Sequence, residues 1–135
     1  MGFGPLEMEI VPCTKKHMSV DIEPDRNLSW EDFQKVQMVV GTIINAEIFE
    51  EVRNPAYKMI IDFGDLGKRK TSAQITQLYT PEDLIGKQVV AVVNFPPKQI
   101  ANIMSECLVL GGIGDNKEVT LIQPERNVKN GTRIG

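Results

Sequence analysis

The sequence predicts an all-β fold, a small five-stranded Greek-key barrel accompanied by short helices. The apolar runs of this 135-residue chain have the length of strands, as from Val89 to Val93. Turn residues such as Gly64 to Gly67 separate these runs in the manner of a hairpin. Between the strands, a helix signal appears only after the third one, at residues 80–86.

Six strand-like segments follow one another. The first contains Gly41, which predicts a bulge or bend that lets one strand serve two sides of a barrel. In the second, residues from Tyr57 to Phe63 alternate in the way of a half-buried strand. Three strands, a helical link and two further strands are the chain order of an OB-fold barrel, so the sixth is a C-terminal extension. The segments are residues 36–49, 57–63, 68–75, 87–95, 105–111 and 118–123.

The helical link carries its own start and stop signals. Thr80 is placed as the N-cap, Pro81 lies in the first turn and Gly86 ends the helix. These signals predict one short helix between the third and fourth strands.

A short helix is also predicted at the N-terminus of the domain. Ser29 is placed as its N-cap, and Trp30, Phe33 and Val36 then share one face. That face has to pack on the domain or on a second subunit. We therefore expect the folded domain to span residues 29–135.

Residues 1–28 differ from the rest of the chain. They are rich in Gly, Pro and charged residues and show no sustained periodicity, which predicts a disordered leader. The pair His17-Met18 leaves two interpretations open. Either Met18 is the natural start and an artificial leader precedes it, or the leader is native.

Composition limits the class of protein. The chain is 41% hydrophobic and 24% charged, as in a globular protein, and no run of eighteen apolar residues predicts membrane insertion. No signal peptide is visible, so a cytoplasmic location is expected. Cys13 and Cys107 are too few and too far apart for a disulfide scaffold, and Cys107 is expected to be buried in a strand.

The charge is unevenly distributed. The net charge of −3 is unlike that of a basic nucleic-acid-binding domain. Residues 53–98, however, hold seven basic and four acidic side chains, a local net charge of +3. A basic middle permits a site for an anionic partner, although charged side chains mostly just solvate a surface.

Catalytic groups are not recognisable in the sequence. The single histidine, His17, lies in the expected leader, where it cannot act as the base of a nucleophilic triad. Gly111 to Gly114 lacks the Lys-Ser/Thr ending of a phosphate loop and is interpreted as a turn between strands. We therefore expect no enzymatic activity, no metal site and no cofactor.

Three segments remain as candidates for binding. In the first, a basic run from Lys68 to Lys70 precedes hydroxyl and amide side chains up to Gln74; a solvated turn is the simpler interpretation. The other two are 94–98, with two prolines, and the apolar loop 100–104, which ends at Ser105. Large apolar side chains in such a loop are either core or a partner surface.

Four motifs, in order, resemble the CsaA proteins of the tRNA-binding-domain family. They are Arg53-Asn54-Pro55-Ala56-Tyr57-Lys58-Met59-Ile60-Ile61-Asp62-Phe63-Gly64, Ser72-Ala73-Gln74-Ile75-Thr76, Val92-Val93-Asn94-Phe95-Pro96-Pro97-Lys98-Gln99-Ile100-Ala101 and Ser105-Glu106-Cys107-Leu108-Val109-Leu110-Gly111. The resemblance covers about residues 30–135. Four motifs together are a specific match, whereas any one alone would be weak.

The resemblance implies an OB-fold homodimer with two activities. One is the holding of unfolded or precursor polypeptides as an export-related chaperone, for which the expected residues are Phe95, Pro97, Ile100, Ile103 and Met104. The other is structure-selective tRNA binding, which is the alternative primary function, and its expected residues are Arg53, Lys68, Arg69, Lys70, Ser72, Gln74, Asn94, Lys98 and Ser105. Trp30 and Phe33 are expected at the dimer interface.

The chain departs from its relatives at the first strand. Many relatives carry Asp and Arg where this chain has Gln37 and Val39, so phosphate contacts from this strand are not expected. Asn54-Pro55 follows the CsaA pattern, whereas synthetase-type members usually have His-Pro.

Overall fold

The computed structural model describes residues 25–135, so Cys13, His17, Met18 and most of the expected leader lie outside the described residues. The chain divides into a unit that ends at Trp30 and a larger unit from Glu31 to Gly135. In the described part of the first unit, Asp25 Oδ1 accepts a hydrogen bond of 3.1 Å from the Asn27 amide.

The first helix, α1, comprises Trp30–Lys35 and follows Ser29, as predicted. None of its residues is buried; Trp30 is 77% exposed and Phe33 is half-buried. Val36, predicted on the same face, lies beyond the helix and is exposed. Within residues 25–135, no helix has the length and apolar character needed to cross a membrane.

Ten strands and a second helix follow α1. They are β1 Met38–Ile48, β2 Tyr57–Asp62, β3 Lys68–Ala73, α2 Pro81–Leu84, β4 Gln88–Val92, β5 Lys98–Ile100, β6 Ile103–Ser105, β7 Leu108–Val109, β8 Gly111–Ile113, β9 Val119–Leu121 and β10 Arg133–Ile134. The main antiparallel sheet has the order β3-β2-β1-β4-β7, with β10 paired to β1. β5–β6 and β8–β9 form separate two-stranded hairpins. The all-β OB-fold prediction is therefore confirmed.

Strand β1 serves two sides of the barrel, as predicted. Its first half pairs with β4 and its second half with β2. The register shifts between Ile43 and Asn45, so the bulge lies at Ile44, whereas Gly41, where a bulge or bend was predicted, pairs with Val89 without a register shift. Gly41 instead leaves room for the core, because a Cβ built there would lie 2.6 Å from the Phe63 ring.

The core lies inside the barrel, where the inner faces of β2 and its neighbouring strands meet. Tyr57, Met59 and Ile61 are buried and alternate with half-buried residues, as the sequence predicted. Phe63 and Leu84 are also fully buried in this cluster. Burial of these apolar side chains is the main favourable term in folding.

Helix α2 begins and ends where its signals predicted. Thr80 and Asp83 form a reciprocal capping box, with hydrogen bonds of 3.1 and 3.2 Å. These hydrogen bonds hold the pKa of Asp83 below its usual value. Gly86 adopts a φ of 94°, which favours glycine, and its amide donates to the Ile43 carbonyl (2.8 Å).

The predicted fifth strand, residues 105–111, is wrong in extent. The chain forms β6, β7 and β8 instead, because two residues between these strands form hydrogen bonds elsewhere. The Glu106 amide donates to the Lys70 carbonyl. The Leu110 amide donates to the Val90 carbonyl, and the Leu110 carbonyl accepts from the Ile122 amide. The predicted loop 100–104 belongs to the β5–β6 hairpin, which turns at Ala101, where φ is 49°.

Other boundaries are also corrected. β4 ends at Val92 and β3 at Ala73, each before the predicted end. Gly111 to Ile113, predicted as a turn, forms β8 because it pairs with β9. β10 was not predicted, and its two residues pair with the start of β1.

The barrel closes where the edge of β3 meets residues 105–107. The buried Thr71 hydroxyl donates to the Cys107 carbonyl at 2.7 Å and lies 3.2 Å from the Ser105 hydroxyl. Lys70 and Glu106 form two hydrogen bonds. The Glu106 amide donates to the Lys70 carbonyl, and the Lys70 amide donates to the Glu106 carboxylate. The Cys107 thiol is buried as predicted, although outside a strand, and burial raises its pKa to about 11.

The Gly41→Ala substitution is expected to destabilise the barrel by about 1–3 kcal/mol, because the new methyl group overpacks Phe63 and Ile61. Gly112→Ala is the matched control, since nothing lies within 4 Å of a Cβ at that position. Urea unfolding of both variants measures the difference. Equal stability of the two variants would contradict the close packing at Gly41.

Thr71→Val is expected to lower the free energy of unfolding by about 1–3 kcal/mol, because it removes the 2.7 Å hydrogen bond to the Cys107 carbonyl, which keeps only the 3.4 Å hydrogen bond from the Ser105 hydroxyl. Thr71→Ser keeps the hydroxyl group and is expected to lose less. Thermal and urea unfolding of the two variants measure this. If Thr71→Val proves as stable as the wild type, the tie does not contribute to closure.

Candidate nucleic-acid interface

Three lysines lie on the outer face of β2 and β3. Lys58 pairs across the ladder with Ser72, Ile60 with Lys70, and Asp62 with Lys68. Paired residues of antiparallel strands point to the same face, so Lys58, Lys68, Lys70 and Ser72 form one surface, which we call the lysine face. Asp62 lies at one end of this face, where it accepts a hydrogen bond from the Gly64 amide (2.9 Å).

Lys58 was not predicted as a binding residue, although the sequence contains a signal for it. The hairpin turn between β2 and β3 fixes the register, and counting back from it places Lys58 opposite Ser72. Its side chain therefore extends the basic surface formed by β3. Lys58 Nζ lies 5.5 Å from the centroid of the Phe49 ring, in a cation–π contact.

Arg69 does not join the lysine face. It occupies an inward-facing position of β3, and its Nη1 donates to the Val93 carbonyl at 2.7 Å. The guanidinium group thus ties β3 to the end of β4. The predicted basic run is therefore divided between two faces of the sheet.

Two polar residues expected to contact tRNA make backbone or interior contacts. The Asn94 side chain donates to the Lys35 carbonyl (2.6 Å) and accepts from the Gln37 amide (3.0 Å), so it links α1 to β4. The Ser105 hydroxyl belongs to the closure around Thr71. Both residues therefore hold elements of the fold in place.

The remaining expected tRNA contacts are exposed at the edges of this surface. Arg53 lies in the β1–β2 connection and Gln74 directly follows β3, at the same end of the β2–β3 ladder. Lys98 begins β5, where it pairs with Ser105. The structure thus brings Lys68, Lys70 and Ser72 together on the lysine face. It places Arg53, Gln74 and Lys98 at the periphery of that face.

An open pocket of about 190 Å³ lies on the lysine face. β1 contributes Asn45 and Glu47 to it, because the bulge at Ile44 sets these two residues opposite Ile60 and Lys58. Periodicity alone could not find them, since the bulge changes which β1 side chains point outward. The full lining is Asn45, Glu47, Lys58, Met59, Ile60, Lys70 and Ile103.

The expected polypeptide-binding residues are divided by the β5–β6 hairpin. Ile100 pairs with Ile103, and Met104 pairs with Gln99, so Met104 lies on the opposite face from Ile103. Phe95 and Pro97 precede the hairpin and are exposed, Phe95 to 57%. Ile103 lines the pocket, whereas Phe95 and Met104 lie outside it.

Across residues 25–135, no group of three or more His, Cys, Asp or Glu side chains is arranged to hold a metal ion.

Comparison with known proteins gives the family. Residues 38–133 match the model of the putative tRNA-binding domain. The solved structure of the chaperone CsaA from Bacillus anthracis is 52% identical, with a TM-score of 0.77, over 80% of this chain and 98% of that chain. CsaA from Picrophilus torridus is 46% identical, with a TM-score of 0.75, over 80% of this chain and 99% of that chain.

Longer proteins match over a small part of their length. The methionine–tRNA ligase of Archaeoglobus fulgidus is 33% identical over 98% of this chain, which covers 21% of that ligase. This chain spans about a fifth of the length of such relatives, and the match to the family model is to a binding domain, not a catalytic one. The chain therefore belongs to the family of putative tRNA-binding domains and is a CsaA-type member of it.

Proposed function

We propose that this chain binds tRNA through the lysine face. The observation that carries the proposal is that Lys58, Lys68 and Lys70 project from one face of two neighbouring strands. The match to the tRNA-binding-domain model, residues 38–133, spans β1 to β10 and therefore includes this face. Lysines on adjacent strands suit contacts with consecutive phosphates of a folded RNA backbone.

The charge distribution favours one orientation of the RNA. The chain carries a net charge of −3, which opposes RNA binding at long range. The stretch between Arg53 and Lys98, with its local net charge of +3, favours the approach of RNA to the part of the chain that contains the lysine face. Binding through phosphates depends on counterion release, so it weakens steeply as salt is added.

The double variant Lys68→Gln/Lys70→Gln is expected to weaken tRNA binding about tenfold or more at 0.1 M salt. It also lowers the slope of log K against log salt by about 2, because each substitution leaves one phosphate without its neutralising lysine. Gel-shift or anisotropy titrations over a salt series measure both quantities.

Lys117→Gln/Lys129→Gln is the matched control, with the same charge change at two exposed lysines outside the lysine face. A control that weakens binding as much as the test variant would contradict the proposed site. Wild-type affinity that does not change with salt would contradict the phosphate mechanism.

A second candidate function is the holding of unfolded or precursor polypeptides. Phe95 is 57% exposed and Met104 is 38% exposed, both in or beside the β5–β6 hairpin. Exposed apolar side chains grouped in this way suit a partly apolar chain. The 52% identical relative from Bacillus anthracis is described as a chaperone, which supports this candidate.

The homodimer is part of this second candidate. Trp30 is 77% exposed, and we propose that α1, with Trp30 and Phe33, contributes to the subunit contact. Two hairpins in one dimer would give two weak sites the benefit of effective concentration.

Phe95→Ser/Met104→Ser is expected to weaken the suppression of client aggregation severalfold, because it removes the two exposed apolar side chains in and beside the hairpin. Light scattering of an aggregating client measures the effect. Leu78→Ser is the matched control, since Leu78 is 51% exposed outside the hairpin. Sedimentation equilibrium is expected to show a dimer.

A wild-type protein that leaves aggregation unchanged at stoichiometric amounts would contradict the holding function. A monomer at the assay concentration would contradict the paired hairpins.

A further inference from the structure

The pocket on the lysine face has the walls that a flat ring needs. Ile60 from β2 and Ile103 from β6 supply apolar surfaces to it. Its volume of about 190 Å³ corresponds to about six water molecules at liquid density. A pocket of this size suits one ring system.

Two polar side chains from β1 line the same pocket. Asn45 lies opposite Ile60, and Glu47 lies opposite Lys58. In the described chain, ion pairs within 4.0 Å join only Lys35 to Asp32 and Arg126 to Glu125, so Glu47 has no such partner there. Lys58 instead directs its ammonium group over the Phe49 ring.

We propose that this pocket binds one unpaired nucleobase that carries an exocyclic amino group. The proposal rests on the proposed tRNA-binding function and adds base selection to it. Ile60 and Ile103 contact the faces of the ring, as apolar side chains do around extruded bases. Lys58 and Lys70, which line the same pocket, meet the adjoining phosphates.

The selection of an amino group follows from the chemistry of Glu47. An ionised carboxylate only accepts hydrogen bonds, so it pairs with the N4 amino group of cytosine. Uracil presents a carbonyl oxygen at that position, and two acceptors then face each other. Asn45 both donates and accepts, and it serves the neighbouring atoms of the base edge.

The position of Glu47 among lysines has an electrostatic cost that base binding offsets. A carboxylate beside Lys58 and Lys70 weakens the attraction for every phosphate, whatever the base. Removal of its charge alone is therefore expected to tighten all RNA binding slightly. Base recognition has to be measured as a ratio between two bases, which cancels this general effect.

The experiment compares short single-stranded oligocytidine and oligouridine of equal length by fluorescence anisotropy. The wild type is expected to bind oligocytidine about tenfold more tightly, as one specific polar contact to a base allows. Glu47→Gln is expected to bring this ratio close to one, because the amide can donate to the uracil carbonyl. Glu51→Gln is the matched control, with the same charge change in the β1–β2 connection, and it keeps the ratio.

Two results would overturn base selection while leaving tRNA binding intact. One is equal wild-type affinity for the two oligonucleotides together with lysine-dependent tRNA binding. The other is a ratio that Glu47→Gln leaves unchanged, including the case in which that variant alters only polypeptide holding. A wild type that binds no RNA at low salt would overturn the tRNA-binding function as well.

Discussion

The hydrogen bonds between β3 and residues 105–107 are the constraint on which the rest of the structure depends. Thr71 reaches the Cys107 carbonyl from inside the barrel, while Lys70 and Glu106 pair along its edge. Without them, the sheet would end at an open β3 edge, and the inner face of β2 would meet solvent on that side. A buried hydroxyl such as that of Thr71 stabilises the junction only when it has a hydrogen-bond partner. Its hydrogen bond to Cys107 therefore also specifies a single arrangement of β3 relative to residues 105–107.

The same tie positions the surfaces that are proposed to contact partners. Ser105 ends β6 and lies against Thr71, which holds the β5–β6 hairpin beside β3. Ile103, two residues earlier, is thereby brought to the pocket that Ile60 also lines. The closure of the barrel and the shape of its outer surface are therefore one feature, and the polar residues around Ser105 act by positioning.

Local signals explain which parts of this structure the sequence predicts. The alternation in β2, the Thr80 cap and the chain order of an OB barrel depend on near neighbours, and all appear in the structure. The strands within residues 105–113 were not predicted correctly, because residues distant in sequence determine their pairing. The Leu110 amide, for example, donates a hydrogen bond to the Val90 carbonyl. The residues of the candidate site differ in the same way. Lys68 and Lys70 could be predicted from composition, whereas the position of Glu47 on the lysine face depends on the bulge at Ile44.

The β5–β6 hairpin offers different side chains to the two classes of partner under the proposed functions. Ile103 faces the pocket beside the lysines, whereas Met104 points the other way, because successive residues of a strand alternate. An RNA on the lysine face and a polypeptide at Phe95 and Met104 therefore use separate surfaces of one short element. Both surfaces nevertheless depend on the position of the hairpin, which the contacts of Ser105 and Glu106 with β3 fix. The two partners are thus coupled through the stability of one junction rather than through competition for one groove.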